Sequence, residues 1–306
     1  SDITRIFRRD VASGSAIELL VEQITNDSSS DIKAEAAGAL WSISGGLHET
    51  QSAIAKQGAI QPLVALLGDA DMRTRRKAAG ALTSLAIGNH ANQDAISQAK
   101  GIPPLVDLLS SQYKSSVQMF AAGCLAELAR NHPKNQAAIA KAGCIAPLVD
   151  LLKADDPPES AAEEAVAEEA GGASAKEEAA GAMWTLSASN TTNQNAIAEA
   201  GGIAPLVMLL DSPSPRAQEK AAGALSAIAL DNDANKTFIA KMLIDLLSTE
   251  DRPAAAKAAR AISRVARAHP KNQEALAQAG VIDILVNLLR GSRDEEAERS
   301  QETTTF

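Results

Sequence analysis

Apolar and polar positions recur along this chain with a period of 42 residues. The stretches from Asn92, Asn135 and Asn193 read NQDAISQAKGIPPLVDLL, NQAAIAKAGCIAPLVDLL and NQNAIAEAGGIAPLVMLL, and further copies begin at Thr50 and Asn272. After a polar gap each of the four copies before residue 210 is followed by an Ala-Ala-Gly box. Box glycines stand at Gly38, Gly80, Gly123, Gly181 and Gly223, and a sixth box ends in Arg260. Successive boxes are 42, 43, 58, 42 and 37 residues apart, so one repeat carries about 16 extra residues and another lacks five. A fixed period of this length is the mark of a stacked array, in which one unit cannot bury its own apolar face and neighbours bury it together.

The unit predicts three helices. Asn or Thr at 50, 92, 135, 193, 235 and 272 is expected to cap the first, its side chain accepting from an orphan amide. Glycine at 58, 101, 143, 201 and 280 is expected to end that helix. Proline at 62, 104, 147 and 205 then opens a second, at a place whose amide has no helical partner. Leu63, Val64, Leu66 and Leu67 give the second helix its 3.6-residue apolar face. The third holds the box and a following Leu40/Ile43-type pair. A glycine inside a helix costs about 1 kcal/mol relative to alanine, so its recurrence predicts close helix–helix contact.

These motifs, Asn-Gln-x-x-Ile-Ala-x-Ala-Gly-x-Ile-x-Pro-Leu-Val-x-Leu-Leu and then Ala-Ala-Gly-Ala-Leu, resemble the armadillo repeat. In style they look like the plant and protist armadillo proteins and the vacuolar and catenin-like groups. The resemblance runs from about Ala16 to Arg290. It implies an all-α, right-handed superhelical solenoid of three-helix repeats, with the third helices lining a concave groove that takes an extended peptide or a partner protein. The expected organisation is an N-terminal segment over 1–15, a repeat array over 16–290 with an insertion at 155–172 and a shortened repeat at 236–270, and a polar tail over 291–306. In the shortened repeat, which begins ANKTFIAKMLIDLL, the Gly stop and Pro start are missing. Its first two helices are expected to merge or shorten.

The resemblance has limits. Nuclear-import adaptors of this family carry Trp at the box-glycine slot and Asn four residues later. Here the first slot holds five glycines and Arg260, and the second holds Ser42, Ser84, Glu127, Thr185, Ala227 and Arg264. The peptide-clamping ladders of those adaptors and of the catenins therefore do not carry over. Helical spacing instead puts the positions three and four before each box glycine on its face, among them Arg76, Lys77, Phe120, Lys220 and Lys257. Trp41 and Trp184 stand three residues after it. With Glu127, Arg260 and Arg264 these are the candidate partner-binding residues, tryptophan leading because it is enriched at binding hot spots.

Charge sharpens this picture. The formal net charge is −9, and nine acids against two lysines between Lys153 and Glu178 account for −7 of it. The run DDPPESAAEEAVAEEAGG within it is the extra material of the fourth repeat. It reads as a solvated excursion, as a docking site for a basic partner, or as a segment folded over the groove. The remainder is nearly neutral, so no nucleic-acid partner is expected. Two cysteines, Cys124 and Cys144, fit a reducing compartment, and the expected localisation is intracellular, cytoplasmic or nuclear. No apolar run is long enough to span a membrane. The histidines His90, His132 and His269 recur because an inter-repeat turn recurs. No ligand cluster, nucleophile motif or phosphate loop accompanies them, so no catalytic residue, metal or cofactor is expected. Arg73, Arg75, Arg76 and Lys77 form a basic cluster that reads as a solvated helix start or as an anion site. The expected function is a non-catalytic interaction scaffold. The alternative is a regulatory or adaptor segment of a larger multidomain or transport protein. The incomplete first and last repeats suit trimmed ends, through which two copies could pair.

Overall fold

The computed structural model describes residues 15–26, 29–45, 47–154, 173–248, 252–268, 270–278 and 280–286. The expected insertion, N-terminal segment and tail lie outside these residues. All regular structure among the described residues is helical. The chain opens on α1 (Ser15–Thr25) and α2 (Ser30–Ser44). Triplets follow: α3 (His48–Lys56), α4 (Ile60–Leu66) and α5 (Met72–Ala86); then α6 (His90–Gln98), α7 (Ile102–Asp107) and α8 (Ser115–Ala129). The next are α9 (Pro133–Lys141), α10 (Ile145–Lys153) and α11 (Ala175–Ser187); then α12 (Thr191–Glu199), α13 (Ile203–Leu209) and α14 (Pro215–Ala229). Last come α15 (Asp233–Leu247), α16 (Arg252–Ala268) and α17 (Pro270–Gln278). The third helices α2, α5, α8, α11, α14 and α16 pack side by side in chain order, and one apolar core runs through the stack. The fold is an all-α solenoid.

The corners follow from local chemistry. Gly58, Gly143, Gly201 and Gly280 end their helices at φ of +81°, +86°, +77° and +83°, the left-handed turn that glycine enters without a steric cost. In the third repeat the expected Gly101 is not that residue; Lys100 takes the turn at φ +62°, and Gly101 N–H donates to Ile96 O at 2.9 Å. Lys100→Gly is therefore expected to stabilise the protein by about 0.5–1 kcal/mol, read as a raised thermal midpoint. Each predicted proline stands third in its helix rather than first, still within the turn whose amides lack helical partners. In the shortened repeat α15 runs unbroken where the other repeats hold two helices.

One expectation needs correcting. The asparagines of the Asn-Gln pair do not cap the first helices. The caps stand three residues earlier, at Asn89, His132, Asn190 and Asn232, and accept from the amides of Asn92, Asn135, Asn193 and Asn235. The Asn-Gln pairs at 92–93, 135–136 and 193–194 are buried and reach sideways. Asn92 Nδ2 donates to Leu85 O at 2.9 Å, Asn135 to Leu128 O at 3.0 Å and Asn193 to Leu186 O at 2.9 Å, in each case near the end of the preceding third helix. The neighbouring glutamines donate to the third helix of their own repeat: Gln51 to Ser84 O at 2.8 Å, Gln93 to Glu127 O at 2.9 Å, Gln136 to Thr185 O at 2.9 Å and Gln194 to Ala227 O at 2.9 Å. The last carbonyls of a helix have no intrahelical donor. Each of these three pairs satisfies such carbonyls on two successive third helices and so fixes the register of one repeat on the next.

Candidate partner-binding face

The third helices position every candidate residue, and the box glycines decide how those residues lie. A methyl added at Gly80 would stand 3.0 Å from Trp41 Cδ2 and Cε3, and one at Gly223 would stand 2.5 Å from Trp184 Cδ2. At Gly38 it would meet Lys77 at 2.9 Å, at Gly181 Lys220 at 3.2 Å, and at Gly123 Glu178 at 3.3 Å. The mid-helix glycine is thus a seat for a long side chain from the adjacent third helix. Close contact was the right expectation, but what approaches is a side chain. The two tryptophans come from the preceding helix; Lys77, Glu178 and Lys220 come from the following one.

Seating draws the candidates together in pairs. Trp41 on α2 and Phe120 on α8 meet edge to face, ring centroids 4.9 Å apart at 83°, across the Gly80 seat on α5 between them. Lys220 on α14 lies 2.6 Å from Glu178 Oε1 and 3.6 Å from Glu177 Oε1 on α11. Lys77 and Arg73 on α5 face Glu35 on α2. Glu127 is held on its own helix by Arg130 at 2.7 Å, and those bonds hold the Arg130 pKa above its usual value. Arg260 donates to Asp211 Oδ1 at 2.6 Å and stays exposed. The side chains of Lys257 and Arg264 lie outside the described residues. Trp184 is 36% exposed, the more open of the two indoles.

The position four before the glycine does not share the exposed face at the second, third and fourth boxes. Arg76, Met119 and Glu177 there are buried, and Phe120 beside them is buried too, against Trp41. Glu177, 1% exposed, accepts from Ser214 Oγ at 3.2 Å, a tie between α11 and α14 that periodicity did not reveal. The basic cluster is engaged as well: Arg73 bonds Glu35, while Arg75 donates to Asp69 O and stacks over the Tyr113 ring at 5.3 Å. At the start of α5, Asp71 caps the helix. Burial alone would raise its pKa, but hydrogen bonds from the Thr74 side chain and amide outweigh this and hold it below the usual carboxylate value.

Cys124, Cys144 and His132 are all buried. Burial pushes both thiols up to about 12, far from a reactive thiolate. His132 accepts from the Asn135 amide through Nδ1 and reaches Asp94 Oδ1 at 3.1 Å through Nε2. Among the described residues no group of three or more His, Cys, Asp and Glu could hold a metal ion. No described helix is long and apolar enough to cross a membrane.

A family model described as the Armadillo/beta-catenin-like repeat matches residues 48–87, 89–130 and 190–229. No curated protein matches the chain in sequence. Among solved structures, one engineered protein is 31% identical with a TM-score of 0.71, over 96% of this chain and 69% of its own. A second engineered protein is 30% identical with a TM-score of 0.66, over 83% of this chain and 98% of its own. A designed armadillo repeat protein in complex with the peptide (KR)4 is 26% identical with a TM-score of 0.64, over 82% of this chain and 100% of its own. Period, helix triplets, stacked third helices and these likenesses agree: the chain belongs to the armadillo repeat family.

Proposed function

We propose that the chain is a non-catalytic scaffold that binds an extended peptide or a partner protein along the concave side of its third helices. The observation that carries this reading is Trp184, a large aromatic seated on the Gly223 backbone with 36% of its surface left to solvent. A rigid, amphipathic ring on a flat ladder is the kind of anchor that dominates binding energy in interfaces. The designed relative held with a peptide supports the same use of the fold. Trp41, Lys77, Glu127, Lys220 and Arg260 form the flanking surface in this reading, Phe120 is buried behind it, and Lys257 and Arg264 extend it along α16. Arg76 is buried.

The test is selection of binders from a random peptide library displayed on phage, with wild-type protein as bait. Enriched peptides are expected to lose at least tenfold in affinity to Trp184→Ala, with circular dichroism showing the variant still helical and cooperatively folded at the assay temperature. No enrichment, or binders indifferent to substitutions on every third helix, would remove the reading.

A further inference from the structure

We infer that the preferred partner carries one aromatic side chain, which seats on Trp184, and acidic residues about three positions further along, which meet the cationic positions of α16. This rests on the peptide-binding reading above and adds the chemistry of the peptide. Trp41 and Trp184 hold the same register, three residues after a box glycine, and each lays its fused ring on the glycine of the next third helix. Over Trp41 the chain supplies its own occupant: Phe120, three residues before the box glycine of the helix after that, at 4.9 Å and 83°. An edge-to-face contact between two rings is a favoured geometry, because the positive edge of one meets the negative face of the other. The residue in the same register relative to Trp184 is Lys257, which offers no aromatic edge. Trp184 is therefore a second copy of a two-ring site, with the second ring left for a partner to supply.

The sign of the flanking charge follows from the next rung. Lys257, Arg260, Arg264 and Arg267 are spaced three, four and three residues apart on α16, which places them along one face of the helix. Like charges at that spacing weaken a helix, and carboxylates of a partner would reverse the repulsion. The ladder acids Glu35, Glu177 and Glu178 already face cations of the neighbouring helix, so a basic peptide would have to compete with those bonds, whereas an acidic one competes with Asp211 for Arg260. Packed helices stand roughly 8–10 Å apart and an extended chain advances about 3.3 Å per residue. One rung therefore corresponds to about three residues of peptide, which sets the spacing between the aromatic anchor and the first acid.

The experiment is fluorescence polarisation with three labelled synthetic peptides: Phe-Ser-Ser-Asp-Glu-Asp, the same peptide with alanine for phenylalanine, and (KR)4. The first is expected to bind at least tenfold more tightly than either of the others, and more weakly as salt rises. Trp184→Ala should cost at least tenfold and Trp184→Tyr less than threefold, which separates a ring effect from a fold defect. Arg260→Glu should cost about fivefold and flatten the salt dependence. Equal binding of the alanine peptide, tighter binding of (KR)4, or no binding of the first peptide would overturn the inference. Library-selected peptides that depend on Trp184 but are neither aromatic nor acidic would overturn it while leaving the scaffold reading intact. Indifference of all selected peptides to the third helices would remove both.

Discussion

Gln136→Leu is expected to lower stability by about 3 kcal/mol, although the two side chains are similar in size and the site is almost fully buried. Gln136 Nε2 donates to Thr185 O at 2.9 Å and Ala188 O at 3.3 Å, and its Oε1 accepts from Asn190 Nδ2 at 3.2 Å. Leucine would leave the buried Thr185 carbonyl and the part-buried Ala188 carbonyl and Asn190 amide without these bonds, and each unsatisfied buried group costs roughly 1–3 kcal/mol, partly offset by apolar burial. Gln136→Glu should cost more, since it sets a carboxylate against two carbonyl oxygens. The effect should also be uneven along the chain. In a stacked array stability is close to a sum of repeat and nearest-neighbour contributions, so a weakened joint at the fourth repeat should split one unfolding transition into two. Urea titration followed by circular dichroism measures both the midpoint and the splitting. A single transition with an unshifted midpoint would contradict the account of the Asn-Gln pairs.

The second large effect is a reversal of sign. Trp41→Ala is expected to cost about 3 kcal/mol, as removal of a packed aromatic does, because Phe120 and Gly80 both lose their contact with the ring. Gly80→Ala alone should destabilise by about 1 kcal/mol. It gains about 1 kcal/mol in helix propensity but forces a methyl to 3.0 Å from an indole that Phe120 also holds, and overpacking of that kind costs about 1–3 kcal/mol. With Trp41 already replaced by alanine the methyl meets no ring, and Gly80→Ala should then stabilise by about 1 kcal/mol. The coupling of about 2 kcal/mol is what a double-mutant cycle reports for residues in direct contact. Additive effects would mean that the glycine is not a seat.

Much of this architecture was legible in the sequence because repetition separates signal from accident. Five copies of one pattern are enough to read three helices and their corners, and the missing Gly and Pro in the sixth repeat already pointed to the unbroken α15. The role of the Asn-Gln pair was not legible from propensity. Asn92 and Asn89 are both good caps within one turn of each other, and only the three-residue offset shared by Asn89-x-x-Asn92, His132-x-x-Asn135, Asn190-x-x-Asn193 and Asn232-x-x-Asn235 distinguishes cap from joint. On the candidate face, spacing placed Trp41, Lys77, Trp184 and Lys220 on the ladder. It could not show which charges face one another, because Glu35 with Lys77 and Glu178 with Lys220 meet only when separate repeats stack. Arg76 and Glu177 read as exposed because a helix considered alone has no neighbours to bury them.

The glycine seats bear on whether such a chain can be rearranged. Its repeats invite treatment as interchangeable cassettes, to be cut at the corners and joined in a new order. The α2 cassette, however, carries an indole that requires a glycine in the cassette after it, and the α11 cassette requires the same of its successor. Placed before α16, whose slot holds Arg260, either would drive a tryptophan into a guanidinium. The unit that can be shuffled is a protruding side chain together with the adjacent notch, and it straddles the boundary at which the sequence appears to repeat.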